Sequence, residues 1–408
     1  MNILIIHPSF PGQYFYLCRY LGRNPENKVV FLAKDNSIKS NLENVDLYLY
    51  DAPRSVTKDI HHYLKPTEEA VLEGQQTVKA LDSLKAKGFQ PDVIIGHAGW
   101  GSLMYIKDYY PDVPLIGYFE WYYHSKKSDM HYWPGEDATP DQALAIRTRN
   151  MHHLLSLETC DYGITPTQWQ YSQFPDVYKP MLSIIHEGID TNFCCPYDGS
   201  GKPALQLQES GFSLPEGTEF ISYVSRGFEP IRGFDKFMDA IRIVLKNRPN
   251  THVVLAGNDM VCYGNKLADG KTYQQVEEEK GGYDKERVHF VGSLNRGDYK
   301  RLLQASSCHV YLTRPFVLSW SMLEAMSFGL PLVASATPPV MEVVEEGVNG
   351  LLAEFRSPHH IATRIEEMLS DKAMAERLGR AARQTILDKY DFIHCMRQQE
   401  EMLYKALR

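Results

Sequence analysis

The sequence predicts an α/β protein with two doubly wound domains, each built on a mostly parallel sheet. The chain has 408 residues, more than one compact core usually holds, so two domains are expected. Short apolar runs alternate with helical patterns in both halves, as they do in βα units. A passage rich in Gly and Pro, from Cys195 to Glu216, separates the two series and is typical of a linker.

These observations place the first domain at 1–195, a linker at 196–216 and the second domain at 217–385. A C-terminal helix over 386–408 could return to the first domain. The polar stretch 259–286 is predicted to be an exposed insertion. Strands are predicted at Ile3–Ile6, Val29–Leu32, Val93–Gly96, Leu115–Tyr118, Tyr162–Thr165, Leu182–His186, Phe220–Val224, Val253–Gly257, Val288–Val291, His309–Leu312 and Leu332–Ala334. Helices are predicted at Tyr14–Leu21, Val71–Lys87, Thr148–Glu158, Phe234–Lys246, Tyr299–Ala305 and Met322–Phe328.

Composition excludes several classes of protein. A hydrophobic content of 43% and a charged content of 23% are those of a globular chain rather than a disordered one. The net charge of -8 gives no basic footprint for nucleic acid. No apolar run is long enough for a transmembrane segment, while peripheral membrane contact stays open. Seven cysteines without metal-like spacing favour reduced thiols and a cytoplasmic location, with the inner membrane surface as an option.

The most specific motif lies in the second half, where a loop leads into a helix. Ser319 and Ser321 stand at the expected start of this helix, and serine is a favoured N-cap residue. A helix N-terminus offers unsatisfied N–H groups and positive potential to a phosphate group. The motif therefore predicts that both serines lie beside a bound phosphate, although an ordinary helix start remains the alternative.

This loop and helix resemble those of the retaining glycosyltransferases of family 4, which have the GT-B fold of two Rossmann-like domains facing across a cleft. The resemblance implies that Glu324 contacts the donor ribose and that the loop residues Phe316, Val317 and Leu318 lie beside the donor sugar. One position departs from the family. Its usual first glutamate, eight positions before Glu324, is replaced here by Phe316, so contact with the donor sugar must differ.

Two arginines form the second match, because Arg226 ends a predicted strand and Arg232 follows after a short loop. The resemblance implies that both bind the donor diphosphate, whose departing charge a cation stabilises. Two solvated arginines on a loop remain the alternative. Val291 and Gly292 end a later strand, and the resemblance implies that they receive the nucleotide base.

The first half carries candidate sugar contacts after two predicted strands. Gly12 lies in the loop after the first strand, where the resemblance implies close backbone approach to the transferred sugar. The loop is not G-x-G-x-x-G, which weighs against a nicotinamide dehydrogenase. His97 ends another strand and is implied to be the sugar-facing histidine, with a satisfied core histidine as the alternative.

A carboxylate and two aromatic residues follow the next strand. Glu120 could orient or deprotonate an acceptor hydroxyl, and with His97 it is a candidate catalytic residue. Trp121 and Tyr122 are candidate acceptor contacts, because aromatic rings stack on sugar faces, but core packing has an equal claim to them.

The resemblance implies an enzyme that transfers a sugar from a nucleoside-diphosphate sugar to a hydroxyl acceptor, with anomeric configuration retained. The acceptor class covers saccharides, lipid-linked saccharides and small molecules. No cofactor is expected, and no metal, because two cations can do the work of a divalent ion. Two alternatives stay open, a nucleotide-sugar 2-epimerase and a catalytically weak sugar-nucleotide-binding scaffold. The sequence does not determine the base, the sugar, the acceptor, the linkage or the oligomeric state.

Overall fold

A computed structural model describes residues 1–34, 42–199 and 201–408. The chain forms two compact units, one from residues 1–188 and 392–408 and the other from residues 189–391. It therefore divides after Gly188 rather than after Cys195, because Ile189 N–H donates to the Tyr390 carbonyl and Thr191 Oγ1 to the Asp391 carboxylate. Within the described ranges, no helix is both long and apolar enough to cross a membrane.

The first unit is built on a seven-stranded sheet with helices on its faces. Its strands are β1 (Asn2–Ile6), β2 (Lys28–Ala33), β3 (Val45–Leu49), β4 (Val93–His97), β5 (Leu115–Tyr118), β6 (Tyr162–Thr165) and β7 (Leu182–Ile184). Its helices are α1 (Phe15–Leu21), α2 (Lys65–Ala86), α3 (Ile106–Tyr109), α4 (Pro140–Arg149), α5 (Met151–Thr159) and α6 (Gln168–Gln173).

All pairings in this sheet are parallel, in the order β3-β2-β1-β4-β5-β6-β7. Alternate residues of β1 enter two apolar clusters, with Ile3 and Ile5 on one face and Leu4 and Ile6 on the other. Both faces are therefore buried, which explains the unbroken apolar runs in the sequence. The strand order reverses between β1 and β4, and ligands bind such sheets where this reversal occurs.

The second unit repeats this design with a six-stranded parallel sheet. The strands of this sheet are β10 (Phe220–Gly227), β11 (His252–Asn258), β12 (Val288–Phe290), β13 (Cys308–Tyr311), β14 (Leu332–Ser335) and β15 (Leu351–Ala353). Two short strands before it, β8 (Leu205–Gln206) and β9 (Ser213–Leu214), form a separate antiparallel pair. The helices of the second unit are α7 (Phe234–Asn247), α8 (Tyr273–Lys280), α9 (Arg296–Ala305), α10 (Trp320–Ser327), α11 (Pro338–Met341), α12 (Pro358–Ser370) and α13 (Lys372–Lys389). The main sheet runs β12-β11-β10-β13-β14-β15, so its order reverses between β10 and β13.

The last helix, α14 (Phe392–Ala406), belongs to the first unit. The Phe392 ring lies 5.4 Å from the Tyr16 ring, and Tyr20 Oη donates to the Glu400 carboxylate at 2.9 Å. Leu403 is fully buried in the same apolar cluster as β1. The helix begins at Phe392 rather than at 386, because 386–389 still belong to α13.

The structure differs from the sequence expectations where strands are short or exposed. β3 is an edge strand with partly exposed residues, so it lacks the apolar run that marks a buried strand. The expected linker 196–216 contains the antiparallel pair β8 and β9. The single helix expected at 148–158 is two helices meeting at Asn150, whose side chain bonds the Tyr123 backbone N–H and carbonyl. The expected insertion 259–286 contains α8.

Candidate functional site

A cavity lies in the second unit beside the carboxyl ends of β10 and β13, at the point where the strand order reverses. None of the ten described residues that line it is acidic, and two are arginines. An anion is therefore the ligand that its charge favours. The lining residues are Tyr223, Val224, Ser225, Arg226, Arg232, Tyr263, Tyr311, Leu312, Ser319 and Ser321.

Arg232 is 7% exposed, and the acceptors around its Nη1 atom are all neutral. It donates to Tyr311 Oη at 3.1 Å, to Thr313 Oγ1 at 2.9 Å and to the Val317 carbonyl at 2.8 Å. A buried guanidinium is usually paired with a carboxylate or phosphate, because burying a charge is otherwise costly. Arg232 therefore places an uncompensated positive charge at the cavity, whereas Arg226 reaches the same cavity from an exposed position.

The start of α10 also lines this cavity, through Ser319 and Ser321. Ser319 is the N-cap residue, and its hydroxyl accepts from the Ser321 N–H at 3.3 Å and lies 2.9 Å from Ser321 Oγ. The Ser319 N–H donates to Tyr311 Oη at 2.9 Å. Because the same oxygen accepts from Arg232, Tyr311 fixes the buried guanidinium and the helix start relative to each other. Both features favour negative charge.

The three loop residues before the N-cap of α10 are mostly buried, and two of them contact Arg232 directly. The Phe316 ring is 7% exposed and its centroid lies 5.7 Å from the guanidinium carbon. Val317 supplies a carbonyl to the same group, while Leu318 enters the apolar cluster around α10. The structure thus places an aromatic wall where the family has its first glutamate.

Glu324 and the end of β12 lie outside the residues that line the cavity. Glu324 is 8% exposed and accepts a hydrogen bond from Tyr299 Oη at 2.8 Å. Burial raises the pKa of its carboxyl, against the opposing effects of Tyr299 and Arg296. Val291 is half-buried, and Gly292 is exposed with a φ of 72°. A Cβ at Gly292 would meet open space, so its backbone angle explains this glycine better than a close approach does.

A second cluster lies in the first unit, at the ends of β4 and β5. His97 is 1% exposed, and its Nε2 atom lies 3.6 Å from Glu120 Oε2. The Gly99 N–H donates to His97 Nδ1 at 2.9 Å, so the neutral ring carries its proton on Nε2, toward the carboxylate. Burial would raise the pKa of Glu120, but His97 and the Gln13 amide stabilise the carboxylate and bring that pKa below its usual value.

His7 and Gly12 complete this cluster from the loop after β1. The His7 ring lies edge-on to the His97 ring with centroids 5.4 Å apart, and burial lowers the pKa of His7 to about 3. Gly12 has a φ of 50°, and a Cβ there would lie 2.6 Å from the His7 ring. Gly12 is therefore required both by its backbone conformation and by the space that His7 occupies.

The two aromatic residues after Glu120 are less open to a ligand than the sequence suggested. Trp121 is 4% exposed. The half-buried Tyr122 ring packs 5.9 Å from Phe174, beside one of the apolar clusters of the first unit. These positions favour packing as the main role of both residues.

Sequence reasoning assigned no role to a buried group next to this cluster. Tyr118 Oη donates to the Glu187 carboxylate, and the Tyr118 ring lies 5.2 Å from the His97 ring. Glu187 Oε2 also lies 3.5 Å from His186 Nε2, while the Gly188 N–H donates to His186 Nδ1. His186 and Gly188 thus repeat the arrangement of His97 and Gly99. That repeated His-x-Gly spacing was the available sequence signal. No group of three or more potential metal ligands occurs within the described ranges.

Comparisons with known proteins agree with this architecture. The model of the glycosyl transferase family 4 group matches residues 25–194, and that of glycosyl transferases group 1 matches residues 208–385. Spore coat protein SA of Bacillus subtilis is 26% identical over 217 residues, which cover 52% of this chain and 55% of that protein. The chain thus spans little more than half of that relative's length.

Two solved structures share the fold over nearly their whole lengths. Sucrose-phosphate synthase from Thermosynechococcus elongatus superposes with a TM-score of 0.73 at 18% identity, covering 99% of this chain and 98% of that one. Anabaena HepE, solved in complex with UDP, gives a TM-score of 0.68 at 17% identity, covering 99% and 100%. The chain has two Rossmann-like domains of the GT-B type and belongs to the family 4 group of glycosyltransferases.

Proposed function

We propose that this protein transfers a glycosyl group from a nucleoside-diphosphate sugar to a hydroxyl acceptor, with retention of anomeric configuration. The observation that carries the proposal is the buried Arg232, whose neighbours in the cavity include a second arginine and no acid. A diphosphate supplies the negative charge that this arrangement lacks. The UDP complex of Anabaena HepE shows a nucleoside diphosphate on a protein of this fold, which supports the same ligand class here.

In this proposal the second unit binds the donor and stabilises the leaving group. Arg226, Arg232 and the first amides of α10 take up the charge that develops on the departing diphosphate. Because two guanidinium groups supply this charge, donor binding should need no divalent cation. Glu324 would contact the ribose and Val291 with Gly292 the base, as the family resemblance implies.

The first unit supplies the proposed acceptor-side chemistry. The Glu120 carboxylate, kept ionised by its neighbours, would orient the acceptor hydroxyl or accept its proton. His97, whose Nδ1 accepts from the Gly99 N–H and whose Nε2 faces Glu120, would use its one Nε2 proton for either that carboxylate or a sugar hydroxyl. Gly12 would let the backbone approach the transferred sugar.

The cysteines support a reducing compartment. All seven, from Cys18 to Cys395, lie in the described ranges and are free thiols. Burial raises the pKa of several of them, for example that of Cys308 to about 12, so these thiols stay protonated and unreactive. We therefore place the reaction in the cytoplasm, where disulfides are rare.

Calorimetric titration tests the donor assignment. Uridine, guanosine, adenosine, cytidine and thymidine diphosphates would be titrated without magnesium into the wild type and into Arg226→Ala. Binding of at least one nucleotide, weakened roughly tenfold or more in the variant, is expected because an exposed charge-assisted contact is lost. Failure of every nucleotide to bind the wild type would refute the proposed function.

One observation favours the alternative of a catalytically weak sugar-nucleotide-binding scaffold: Phe316 stands in place of the family's glutamate. Product analysis separates it from a transferase. Incubation of the bound nucleotide's sugar donors with saccharide acceptors should release nucleoside diphosphate in an acceptor-dependent way. Nucleotide binding without release would favour the scaffold, and release of an epimerised donor without acceptor would favour the 2-epimerase.

A further inference from the structure

A buried carboxylate fastens the segment after β11 to the turn that carries Arg232. Glu229 is 0% exposed and accepts from three consecutive backbone amides, those of Cys262, Tyr263 and Gly264, at distances between 2.7 and 3.2 Å. Three N–H groups converging on one carboxylate form a concave anion-binding arrangement. Such charge-assisted bonds are about twice as strong as neutral ones, so residues 262–264 are held firmly.

Two glycines allow this close contact. A Cβ at Gly227 would lie 2.4 Å from the Met260 carbonyl oxygen, and a Cβ at Gly264 would lie 3.1 Å from Glu229 Oε2. Gly227 ends β10, the strand that leads into the arginine turn. The segment 260–264 therefore lies directly against that turn rather than projecting into solvent, although it belongs to a stretch whose sequence is polar.

The result of this anchoring is the position of Tyr263. Its ring centroid lies 5.2 Å from the Arg232 guanidinium carbon and 5.5 Å from the Phe316 ring, which it meets edge to face. Tyr263 lines the cavity and is still 46% exposed. An exposed aromatic ring held beside a buried cation shields that cation from water, and its phenolic hydroxyl can donate to an anion that the cation binds.

We propose that Tyr263 is a donor-binding residue that covers the diphosphate on Arg232, and that Glu229 is a positioning residue that holds Tyr263 in place. This inference rests on the proposed function, because it assigns two further residues to the same donor cavity. The ring keeps water from the buried guanidinium and packs on the donor beside its diphosphate. Together with Phe316 it gives the cavity an aromatic wall rather than an acidic one.

Calorimetry with the tightest-binding nucleoside diphosphate of the panel, and with inorganic pyrophosphate, tests the role of Tyr263. Tyr263→Ala should weaken both ligands ~tenfold, the range expected for an aromatic contact beside a desolvated cation. Tyr263→Phe keeps the ring but removes the hydroxyl that hydrogen-bonds Arg232, so it should weaken both ligands less than Tyr263→Ala does.

Tyr283→Ala is the matched control. Tyr283 lies 5.5 Å from the Arg242 guanidinium in the same unit, outside the donor cavity, so its loss should leave nucleotide binding unchanged. Equal affinities of the wild type and Tyr263→Ala would overturn the assignment of Tyr263. Loss of affinity in Tyr283→Ala as large as in Tyr263→Ala would overturn it too, since a general effect on the unit would then explain both.

A double-mutant cycle tests the positioning role of Glu229. Glu229→Gln keeps the shape but turns an amide NH₂ group toward backbone N–H groups, which loosens residues 262–264. We expect affinity to fall roughly threefold to tenfold in the wild-type background and less than about twofold in the Tyr263→Ala background. Equal effects in both backgrounds would refute the coupling.

If circular dichroism shows that Glu229→Gln does not fold, Gly264→Ala is used in its place. The Cβ added at residue 264 would press on the Glu229 carboxylate. The same cycle with Tyr263→Ala then applies. The two proposals fail separately. A wild type that binds no nucleoside diphosphate refutes the proposed function, whereas a wild type that binds and a Tyr263→Ala variant that binds equally well refute only this inference.

Discussion

The candidate sites of the two units occupy the same place in their sheets but treat charge in opposite ways. In the second unit, Arg232 is buried among neutral oxygens and keeps its positive charge available. In the first unit, the Glu120 carboxylate faces His97 Nε2 at 3.6 Å and is stabilised by that ring. The first arrangement favours an external anion, and the second is the pair that we propose for proton transfer. The reversal of strand order creates the place, and side-chain pairing decides its chemistry.

The largest expected effect comes from removing the available cation. Arg232→Met should lower nucleoside diphosphate affinity ~30-fold or more, because a buried charged contact of about 2–5 kcal/mol is lost. Its melting temperature should fall by only a few degrees, because the Tyr311, Thr313 and Val317 oxygens lose one donor. Calorimetry and thermal unfolding measure both, with Arg364→Met as control because Arg364 pairs with Glu346 and Glu367. Retained affinity would remove the contrast between the two sites.

Removing the paired group of the first unit should change turnover instead of affinity. His97→Ala is expected to lower kcat ~100-fold, because Glu120 loses the neighbour that helps to keep it ionised, with nucleotide affinity unchanged. Steady-state kinetics and calorimetry on the same preparation measure the two quantities. His394→Ala, at an exposed position on α14 of the same unit, is the control. A matching loss of nucleotide affinity would contradict the division of labour between the units.

The backbone around His7 can be tested through Gly12. Gly12→Ala should lower the free energy of unfolding by about 2–4 kcal/mol, since a left-handed φ and a clash with the His7 ring act together. Gly88→Ala, also at positive φ but with no atom within 4 Å of its Cβ, should cost only about 1–2 kcal/mol. Denaturant unfolding measures both. Equal losses of unfolding free energy in the two variants would show that the His7 ring moves aside without cost, which would contradict the prediction.

The last contrast between the two units concerns pH. Burial lowers the pKa of His7 to about 3 and of His152 to about 4 in the first unit, and of His309 to about 3 in the second. Below pH ~6.5 these histidines are protonated in the unfolded chain but stay neutral in the folded one. The free energy of unfolding therefore falls as the pH is lowered, by up to about 1.4 kcal/mol per pH unit for each histidine. The depressed pKa of Glu120 acts in the same direction at lower pH.

The first unit should therefore lose more stability on acidification than the second. Hydrogen exchange followed by mass spectrometry reports on each unit separately. Between pH 7 and pH 5, the protection of β1 and β4 should fall more than that of β10 and β13. A larger fall in the second unit would contradict the assignment of buried neutral histidines to the first.

The sequence by itself determined the two parallel sheets, the placement of Arg226 and His97 at strand ends, and the placement of Arg232 and Glu120 in the loops that follow strands. It could do so because buried strands need continuous apolar runs and because ligand residues follow the strands. The edge strand β3 and the pair β8 and β9 carry no such run, so the sequence did not predict these three strands.

Only the tertiary structure decided which distant residues meet. The Tyr263 ring lies beside Arg232 because the Glu229 carboxylate, far from Tyr263 in sequence, accepts hydrogen bonds from the backbone amides of residues 262–264. The Tyr299 hydroxyl likewise donates a hydrogen bond to Glu324, and the Tyr118 hydroxyl donates one to Glu187. These contacts depend on loop conformation and on the register between strands, which local patterns of hydrophobicity do not encode.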